Sequence, residues 1–273
     1  GHADHSKYGH KFYLTHLNNV PIVKHRLGNV NIESKKWGEK FLINGVQFSL
    51  HPAGHVIGSS QVRVEYKGDV WVYSGDYKRE DDGISTPFEP LKCNTFITEC
   101  TFGLPAFNWK KQDVVMNNIN DFWKECKSNG QTAVVFAYSL GKAQRLIANL
   151  DLEIGDILTH GAVENLNEVI RTFKNLPKTH RITRATKKED FIGNLVIAPP
   201  STHGSSWIKK MVPYVTSSAS GWMTFRGARR RRAIDRGFVL SDHVDWKDLL
   251  RTIKDTEAKN IVCTHGYKAV SYT

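Results

Sequence analysis

Histidine and aspartate recur where they can build a hydrolytic metal site. Three of them open the chain, as His2, Asp4 and His5 in the segment GHADH. Others follow short apolar runs typical of strands, namely His55, Asp76, His243 and His265. One histidine at a strand end is more often a hydrogen-bonded structural residue than a ligand. Imidazoles and carboxylates at the ends of several strands are together what a metal-dependent hydrolase requires.

Strands in the first third of the chain must position these residues. The segment 40–51, KFLINGVQFSLH, has two apolar runs around Asn44-Gly45, which predicts a hairpin with a type I′ turn. The alternating segment 61–66, QVRVEY, is followed by a turn and by VWVY at 70–73, which predicts a second hairpin. Polar side chains at the ends of these strands are placed where a site can form.

Beyond residue 99 the pattern changes to alternating strands and helices. Helical periodicity over Gln112–Ser128 puts Val115, Ile119, Phe122 and Trp123 on one face. The apolar run 132–138, TAVVFAY, is typical of a buried parallel strand. Further elements are expected as helices at 141–150, 165–174 and 246–256, and as strands at 156–159, 194–198 and 260–264. This βαβ order predicts an inserted parallel sheet.

The composition excludes several classes of protein. The chain has 273 residues, of which 40% are hydrophobic, so it can bury a sizeable core and is not disordered. No stretch has the apolar length of a membrane span. Its net charge of +11 suits nucleic acid or an anionic membrane surface, and suits a basic solvated surface equally well. The cysteines form no C-x-x-C pair, which argues against a zinc ribbon or a disulfide framework and favours reduced thiols in a cytoplasm; they are Cys93, Cys100, Cys126 and Cys263.

Longer motifs carry a resemblance to a known family. The segment HADH at 2–5, together with His55, Asp76 and His265, resembles the signature of metallo-β-lactamase-fold hydrolases. Glu99 in TECTFG and His243 in SDHVDW resemble the added motifs of the β-CASP nucleases. Within that group, seven segments resemble the ligase-associated DNA exonuclease branch, also called mRNA 3′-end-processing-like: HPAGHVIGSSQVRVEY, SGDYKRE, TECTFGLPAF, FAYSLGKAQRL, THGAVE, IAPPSTHGSSW and RGARRRRAIDRGFVLSDHVDW.

The resemblance implies a fold and a division into domains. The fold is α/β, a metallo-β-lactamase αββα sandwich with an inserted, Rossmann-like β-CASP domain. The expected divisions are residues 1–107 and 206–273 for the two parts of the metallo-β-lactamase domain and 108–205 for the insertion. The family pattern begins with one more histidine before Gly1 and ends with further strands and a helix, so the chain is expected to be truncated at both ends.

The resemblance also implies a role for each site residue. His2 and His55 would hold a first metal, and Asp76 would bridge it to a second. Asp4, counted with the catalytic residues, would hold the second metal together with His5 and His265. Mixed imidazole and carboxylate ligands favour two Zn²⁺ ions, with Mn²⁺ as the alternative, and two metals of this kind clamp a phosphodiester and activate water. His243 would be the general acid, oriented by Glu99.

A dense run of arginines precedes His243 and is assigned to substrate binding. Such runs are ordinarily solvated faces, but contacts between arginine and phosphate add affinity that depends on salt rather than on sequence. Ser139 and Lys142, where a strand meets a helix, are further candidates, although a tight turn explains them as well. The set assigned to the substrate is Arg226, Arg229, Arg230, Arg231, Arg232, Ser139, Lys142 and His203.

The sequence therefore predicts a two-metal DNA exonuclease of DNA repair. It leaves open an RNA-processing nuclease of the same family, a small-molecule metallo-hydrolase of the same fold, and a truncated chain that binds nucleic acid without cleaving it. The expected partner is nucleic acid, with DNA favoured over RNA, and no membrane. A DNA ligase or helicase partner and a cytoplasmic location follow from the resemblance and the cysteine usage.

Overall fold

The chain is an α/β protein with two compact units. The computed structural model describes residues 3–231 and 233–266. The first unit is formed by Gly1–Asn108 with Asp242–Thr273, and the second by Trp109–Ser241. Across the described residues, none of the helices is both long enough and apolar enough to cross a bilayer.

Helices and strands alternate along most of the described chain. The α-helices α1 to α6 are Val20–Leu27, Gln112–Ser128, Lys142–Asn149, Gly161–Arg171, Arg226–Arg231 and Trp246–Thr256. The strands β1 to β7 are Tyr13–His16, Ile32–Lys35, Phe41–Ile43, Val46–Pro52, Ser60–Tyr66, Asp69–Tyr73 and Thr95–Cys100. The strands β8 to β14 are Thr132–Phe136, Ile157–Thr159, His180–Arg181, Leu195–Ala198, Tyr214–Ala219, Arg236–Phe238 and Asn260–Gly266.

A mixed six-stranded sheet organises the first unit. Its order is β14-β7-β6-β5-β4-β3, with β14, β7 and β6 parallel and the rest antiparallel. Both predicted hairpins are confirmed, as β3-β4 and β5-β6. In the first turn Asn44 and Gly45 have φ of 50° and 79°, the pair of positive values that a type I′ turn needs. The sequence did not predict the small parallel pair of β1 with β2 in this unit.

An all-parallel six-stranded sheet organises the second unit, in the order β10-β9-β11-β8-β12-β13. The predicted helix α2 has the expected bounds, and Ile119, Phe122 and Trp123 on its apolar face are fully buried. Every residue of β8 is buried, which is typical of a strand covered on both faces. Helix α4 begins at Gly161, four residues before the predicted start, because His160 Nδ1 accepts a hydrogen bond from the Ala162 amide and caps it earlier.

The second unit extends further along the chain than the sequence suggested. The expected insertion ran from 108 to 205, whereas the structure assigns Trp109–Ser241 to one unit. The reason is long-range pairing: β12 pairs with β8, and β13 pairs with β12, so both strands complete the parallel sheet. The segment 206–241 therefore belongs to the second unit, whereas the sequence placed it with the first.

Candidate metal and catalytic site

The mixed sheet gathers polar side chains at one edge. Strands β6, β7 and β14 run parallel, so their carboxyl ends meet at the same edge of the sheet. Asp76 follows β6, Glu99 is the second-last residue of β7, and His265 lies near the end of β14. Strand β4 has the same direction as β6, since each is antiparallel to β5, and its carboxyl end leads to His55. Topology thus brings together four residues that are far apart in the sequence.

His55 is held in a single ring orientation. Its Nδ1 lies 2.8 Å from the backbone carbonyl of Asp242, and because a carbonyl only accepts, Nδ1 carries the proton and Nε2 the lone pair. That Nε2 lies 3.9 Å from the Asp76 Oδ2. A histidine fixed through Nδ1 in this way presents Nε2 as a metal ligand.

His243 is held by a buried carboxylate. Its Nδ1 lies 2.9 and 2.8 Å from the two oxygens of Glu99, whose side chain is only 1% exposed. The Tyr77 amide donates to Glu99 Oε1 over 3.0 Å, which fixes the carboxylate. The ring of Phe102 lies edge-on to His243, with centroids 5.9 Å apart. The imidazole of His243 is therefore oriented by a hydrogen bond and by packing together.

The donors form a group that fits a cation. His55, Asp76 and His243 each offer one ligand atom, and within the described part of the chain these atoms all lie within 4.8 Å of one another. The rings of His55 and His243 have centroids 4.7 Å apart. Burial, and then the charges of Asp76 and Glu99, raise the pKa of Tyr73. His55 and Asp76 offer the imidazole and carboxylate donors that Zn²⁺ takes, and His243 lies beside them.

A cavity of about 570 Å³, called here the metal-site cavity, opens over this group. His5, Asp76, His243 and His265 line it, so four of the predicted residues share one cavity. Asp4 lies with His5 in a short 3-10 helix, but its side chain is outside the described part of the structure. His2 also lies outside the described residues.

The backbone around His265 has an unusual conformation. The register between β14 and β7 shifts between Thr264 and Gly266, and His265 has a φ of 55°. The sulfur of Cys100 contacts the carbonyl oxygen of His265. A Cβ on Gly266 would lie 1.9 Å from the Cys100 carbonyl oxygen, so only glycine fits there. These contacts set the direction in which His265 leaves the strand.

The residues assigned to substrate binding all lie in the second unit, and only some of them share a cavity. Arg226, Arg230 and Arg231 are exposed on α5. Arg232 and the side chain of Arg229 lie outside what the structure describes. Arg231 and His203 line a cavity of about 540 Å³, whereas Arg226, Arg230, Ser139 and Lys142 do not.

Lys142 is less accessible than the sequence suggested. It is only 4% exposed, and its Nζ lies 5.7 Å from the centroid of the Tyr138 ring. The carbonyl of Ser139 accepts a hydrogen bond from Gln144 Nε2, which closes the turn into α3. Ser139 thus contributes to the tight turn that the sequence left as the alternative.

Several contributors to the site carry no sequence signal. The Asp242 carbonyl that orients His55 and the Tyr77 amide that binds Glu99 are backbone groups, so residue type says nothing about them. The only pointer is position, since each directly adjoins a predicted site residue. For Cys100, next to Glu99, the sequence indicates only a reduced thiol.

The fold and the site define an α/β protein with a cluster of histidine and aspartate that could hold a metal ion. Comparisons with known proteins narrow this class. No protein-family model matches the chain. A solved structure of a protein of unknown function from Enterococcus faecalis shares the fold, with a TM-score of 0.66 and 12% identity, over 98% of this chain and 74% of that one.

Relatives are found among nucleic-acid enzymes. The chain is 31% identical to a probable DNA ligase of Opitutus terrae, over 80% of the chain and 21% of the ligase. It is 24% identical to the endoribonuclease YSH1 of Kluyveromyces lactis, over 86% of the chain and 38% of that protein. It is 29% identical to cleavage and polyadenylation specificity factor 73 of Drosophila melanogaster, over 44% of the chain and 18% of that protein.

These relatives confirm the resemblance that the motifs indicated, to the ligase-associated and mRNA 3′-end-processing-like branch of the β-CASP nucleases. The chain spans less than half the length of each of them.

Proposed function

We propose that the chain is a metal-dependent phosphodiesterase that trims DNA from an end in DNA repair. The observation that carries the proposal is the pairing of His243 with the buried Glu99 beside the cluster of His55 and Asp76. An oriented imidazole next to a metal-binding group is what protonation of a leaving oxygen requires. In this proposal the first unit is the metallo-β-lactamase domain, and the second is the β-CASP insertion.

The proposed metal ligands are the six residues predicted from the sequence. They are His2, Asp4, His5, His55, Asp76 and His265, and zinc is favoured over manganese because the set mixes imidazole with carboxylate. When bound, two such ions supply Lewis-acid activation of the phosphodiester and of the attacking water. The orientation of His55 Nε2 toward Asp76 supports this assignment.

The chain's own residues would handle the proton on the leaving group. His243 donates through Nδ1 to Glu99, and its other ring nitrogen gives the proton to the leaving oxygen as the phosphodiester breaks. The carboxylate of Glu99 stabilises the imidazolium before transfer and keeps the ring aimed.

Arginines of the second unit would supply affinity for the strand. Arg226, Arg230 and Arg231 are exposed on α5, and the chain carries a net charge of +11. Each phosphate neutralised by an arginine releases counterions, so binding should weaken steeply as salt rises. A cytoplasmic location is proposed as well, in keeping with the four free cysteines.

Relatives support both DNA and RNA as substrates, and DNA is favoured. The relative named as a DNA ligase is 31% identical over 80% of the chain. The relatives named as endoribonucleases support RNA processing as the second candidate. Association with a DNA ligase is proposed on the same ground as the DNA substrate.

The decisive experiment follows cleavage of matched single strands. The purified chain, stripped of metal and supplied with Zn²⁺ or Mn²⁺, is mixed with end-labelled single-stranded DNA and with RNA of the same sequence. We expect a ladder of DNA products that shortens from one end. Asp76→Asn should slow cleavage by more than about a hundredfold, because loss of a direct ligand costs more than loss of its supporting contacts.

A matched control separates this loss from a general effect of losing one carboxylate. Asp69→Asn makes the same chemical change at the other end of the same strand, β6, where Asp69 accepts a hydrogen bond from the Trp71 indole. Its cleavage rate should match that of the wild type. Cleavage of RNA alone would move the chain to RNA processing, and cleavage of neither would overturn the nuclease assignment in favour of a small-molecule hydrolase.

A further inference from the structure

The second unit has a cavity of its own, which the proposed reaction does not use. Its volume is about 540 Å³, within the range of small-molecule sites. It is called here the serine cavity, and its polar lining residues are Tyr138, Ser201, His203, Ser218, Ser220 and Arg231. All of these residues belong to the second unit.

The serine cavity lies where the topology of the parallel sheet favours a ligand site. Tyr138 follows β8, Ser201 follows β11, and Ser220 follows β12, so three carboxyl ends contribute to it. After β8 the chain continues to β9, toward the edge of the sheet formed by β10. After β12 it continues to β13, which forms the opposite edge. The carboxyl ends of β8 and β12 therefore flank a topological switch point, which is where open parallel sheets bind ligands.

The lining of the serine cavity suits an anion. Arg231 and His203 can both carry positive charge, and none of the described residues that line the cavity is acidic. This lining is the reverse of the metal-site cavity, where Asp76 accompanies the histidines. A bound metal ion is disfavoured here, because the described lining residues offer a guanidinium beside the His203 imidazole and no carboxylate or thiolate.

Hydroxyl groups add the donors that a phosphate takes. Ser218 is 2% exposed, at the end of β12, and Ser220 accepts a hydrogen bond from the Trp222 amide over 3.3 Å, which leaves its own proton to donate. His203 is fixed by edge-on packing against Phe136, with ring centroids 5.1 Å apart. Guanidinium and hydroxyl donors together match the oxygens of a phosphate monoester.

One wall of the cavity is aromatic. The Tyr138 ring is 63% exposed, and Lys142 lies against it at 5.7 Å from the centroid. An exposed ring beside a phosphate site offers a stacking surface for a nucleobase. The combination of phosphate donors, an aromatic face and this volume fits one nucleotide.

We propose that the serine cavity binds a nucleoside monophosphate, with Arg231 and the serine hydroxyls on the phosphate and Tyr138 against the base. The proposal deepens the proposed function and rests on it for the source of the ligand, because a nuclease presents nucleotides both as strand ends and as products. Free nucleotide and strand terminus share this chemistry, and the experiment separates them.

The test measures binding without catalysis. The full chain is treated with a chelator, and AMP, dAMP, adenosine and inorganic phosphate are titrated in by calorimetry. We expect one mononucleotide per chain, with adenosine and phosphate at least tenfold weaker. Arg231→Gln and Tyr138→Ala should each weaken AMP at least tenfold, and the matched exposed variant Arg184→Gln should leave it within twofold. Circular dichroism of each variant verifies folding.

Competition then identifies the source. Displacement of AMP by a DNA 12-mer with a terminal phosphate, but not by the same strand without it, assigns the cavity to a strand end. Displacement by mononucleotides alone assigns it to free nucleotide, and either result supports the proposal. Absence of mononucleotide binding, or AMP binding that both variants leave unchanged, overturns it. Asp76→Asn should bind AMP normally, so failure of the nuclease assignment and failure of this site give different results.

Discussion

The first unit contains two histidine-glutamate pairs with nearly the same geometry and different surroundings. His243 Nδ1 lies 2.8 Å from Glu99 Oε2, and His51 Nδ1 lies 3.0 Å from Glu89 Oε2. The Glu99 side chain is 1% exposed, while that of Glu89 is 48% exposed. The second ring nitrogen of His51, Nε2, is hydrogen-bonded to Ser49 Oγ at 3.0 Å, whereas His243 lines the metal-site cavity.

The difference teaches that the pair alone does not make an active residue. A carboxylate orients an imidazole in both cases, but only His243 has its ligand atom within 4.8 Å of those of His55 and Asp76. Burial of Glu99 also removes the water that would screen its charge. What separates the proposed catalytic histidine from the other one is its surroundings: the buried carboxylate and the neighbouring His55 and Asp76.

Loss of each imidazole should separate the two pairs most strongly. His243→Ala removes the proposed general acid, and we expect the turnover of single-stranded DNA to fall by about 10²-fold to 10⁴-fold. His51→Ala, the matched change, should leave turnover within about twofold of the wild type. Initial rates at saturating metal measure both. Equal losses in the two variants would contradict the assignment of His243.

Neutralising each carboxylate should give a smaller contrast. Glu99→Gln keeps the size of the side chain but weakens the orientation of His243, so we expect a loss of about 10-fold to 100-fold in turnover. Glu89→Gln should have no effect on cleavage. Because Glu99 touches no substrate, the loss should appear in kcat rather than in KM. A Glu99→Gln enzyme with wild-type turnover would reduce that residue to a packing role.

His16 gives a third kind of histidine, buried without a carboxylate. It is 3% exposed and stacks on Trp37 with centroids 3.5 Å apart, and burial lowers the pKa of His16 to about 4. Between that value and the unfolded value near 6.5 the unfolded chain binds the extra proton, so the stability that neutral His16 contributes is lost as pH falls through this window.

Urea unfolding at two pH values tests this assignment of His16. From pH 7 to pH 5, protonation of His16 in the unfolded chain should lower the free energy of unfolding by about 2 kcal/mol. His16→Gln should remove that part of the pH dependence and leave cleavage at pH 7 unchanged. If wild type and variant lose the same stability between the two pH values, His16 titrates normally.

The exposed pair should show the smallest effect. A double-mutant cycle on His51 and Glu89 should give a coupling free energy below about 1 kcal/mol, because solvent screens an ion pair with a half-exposed carboxylate. Added salt should reduce it further. A coupling of several kcal/mol would remove the contrast between the two pairs.

Local signals predicted the local structure. The apolar periodicity of α2 and α6 defined both helices, and Asn44-Gly45 defined a hairpin turn, because each depends on neighbours within a few residues. The place of β12 depends on pairing with β8, across about eighty residues, and β13 joins the sheet only through β12; the sequence placed both strands in the other domain. Such pairings leave no periodic signal in the strands themselves.

The same limit applies to the two cavities. The residue types of His55, Asp76 and His243 at strand ends predicted a shared site, whereas the place of Glu99 beside His243 was implied by the family resemblance. The backbone carbonyl that orients His55 lies 187 residues away and has no signature. The serines of the serine cavity are common surface residues, and only the parallel sheet brings them together.

The pairing of β14 with β7 has a consequence for when the candidate site can form during synthesis. Cys100 and His265 are 165 residues apart, and their contact forms only after β14 has left the ribosome and docked on β7. The intervening parallel sheet of the second unit can fold first, since domains generally fold as units during synthesis. His243 and His265 both follow the second unit in the sequence, so the nascent polypeptide holds no complete site until that unit has been synthesised.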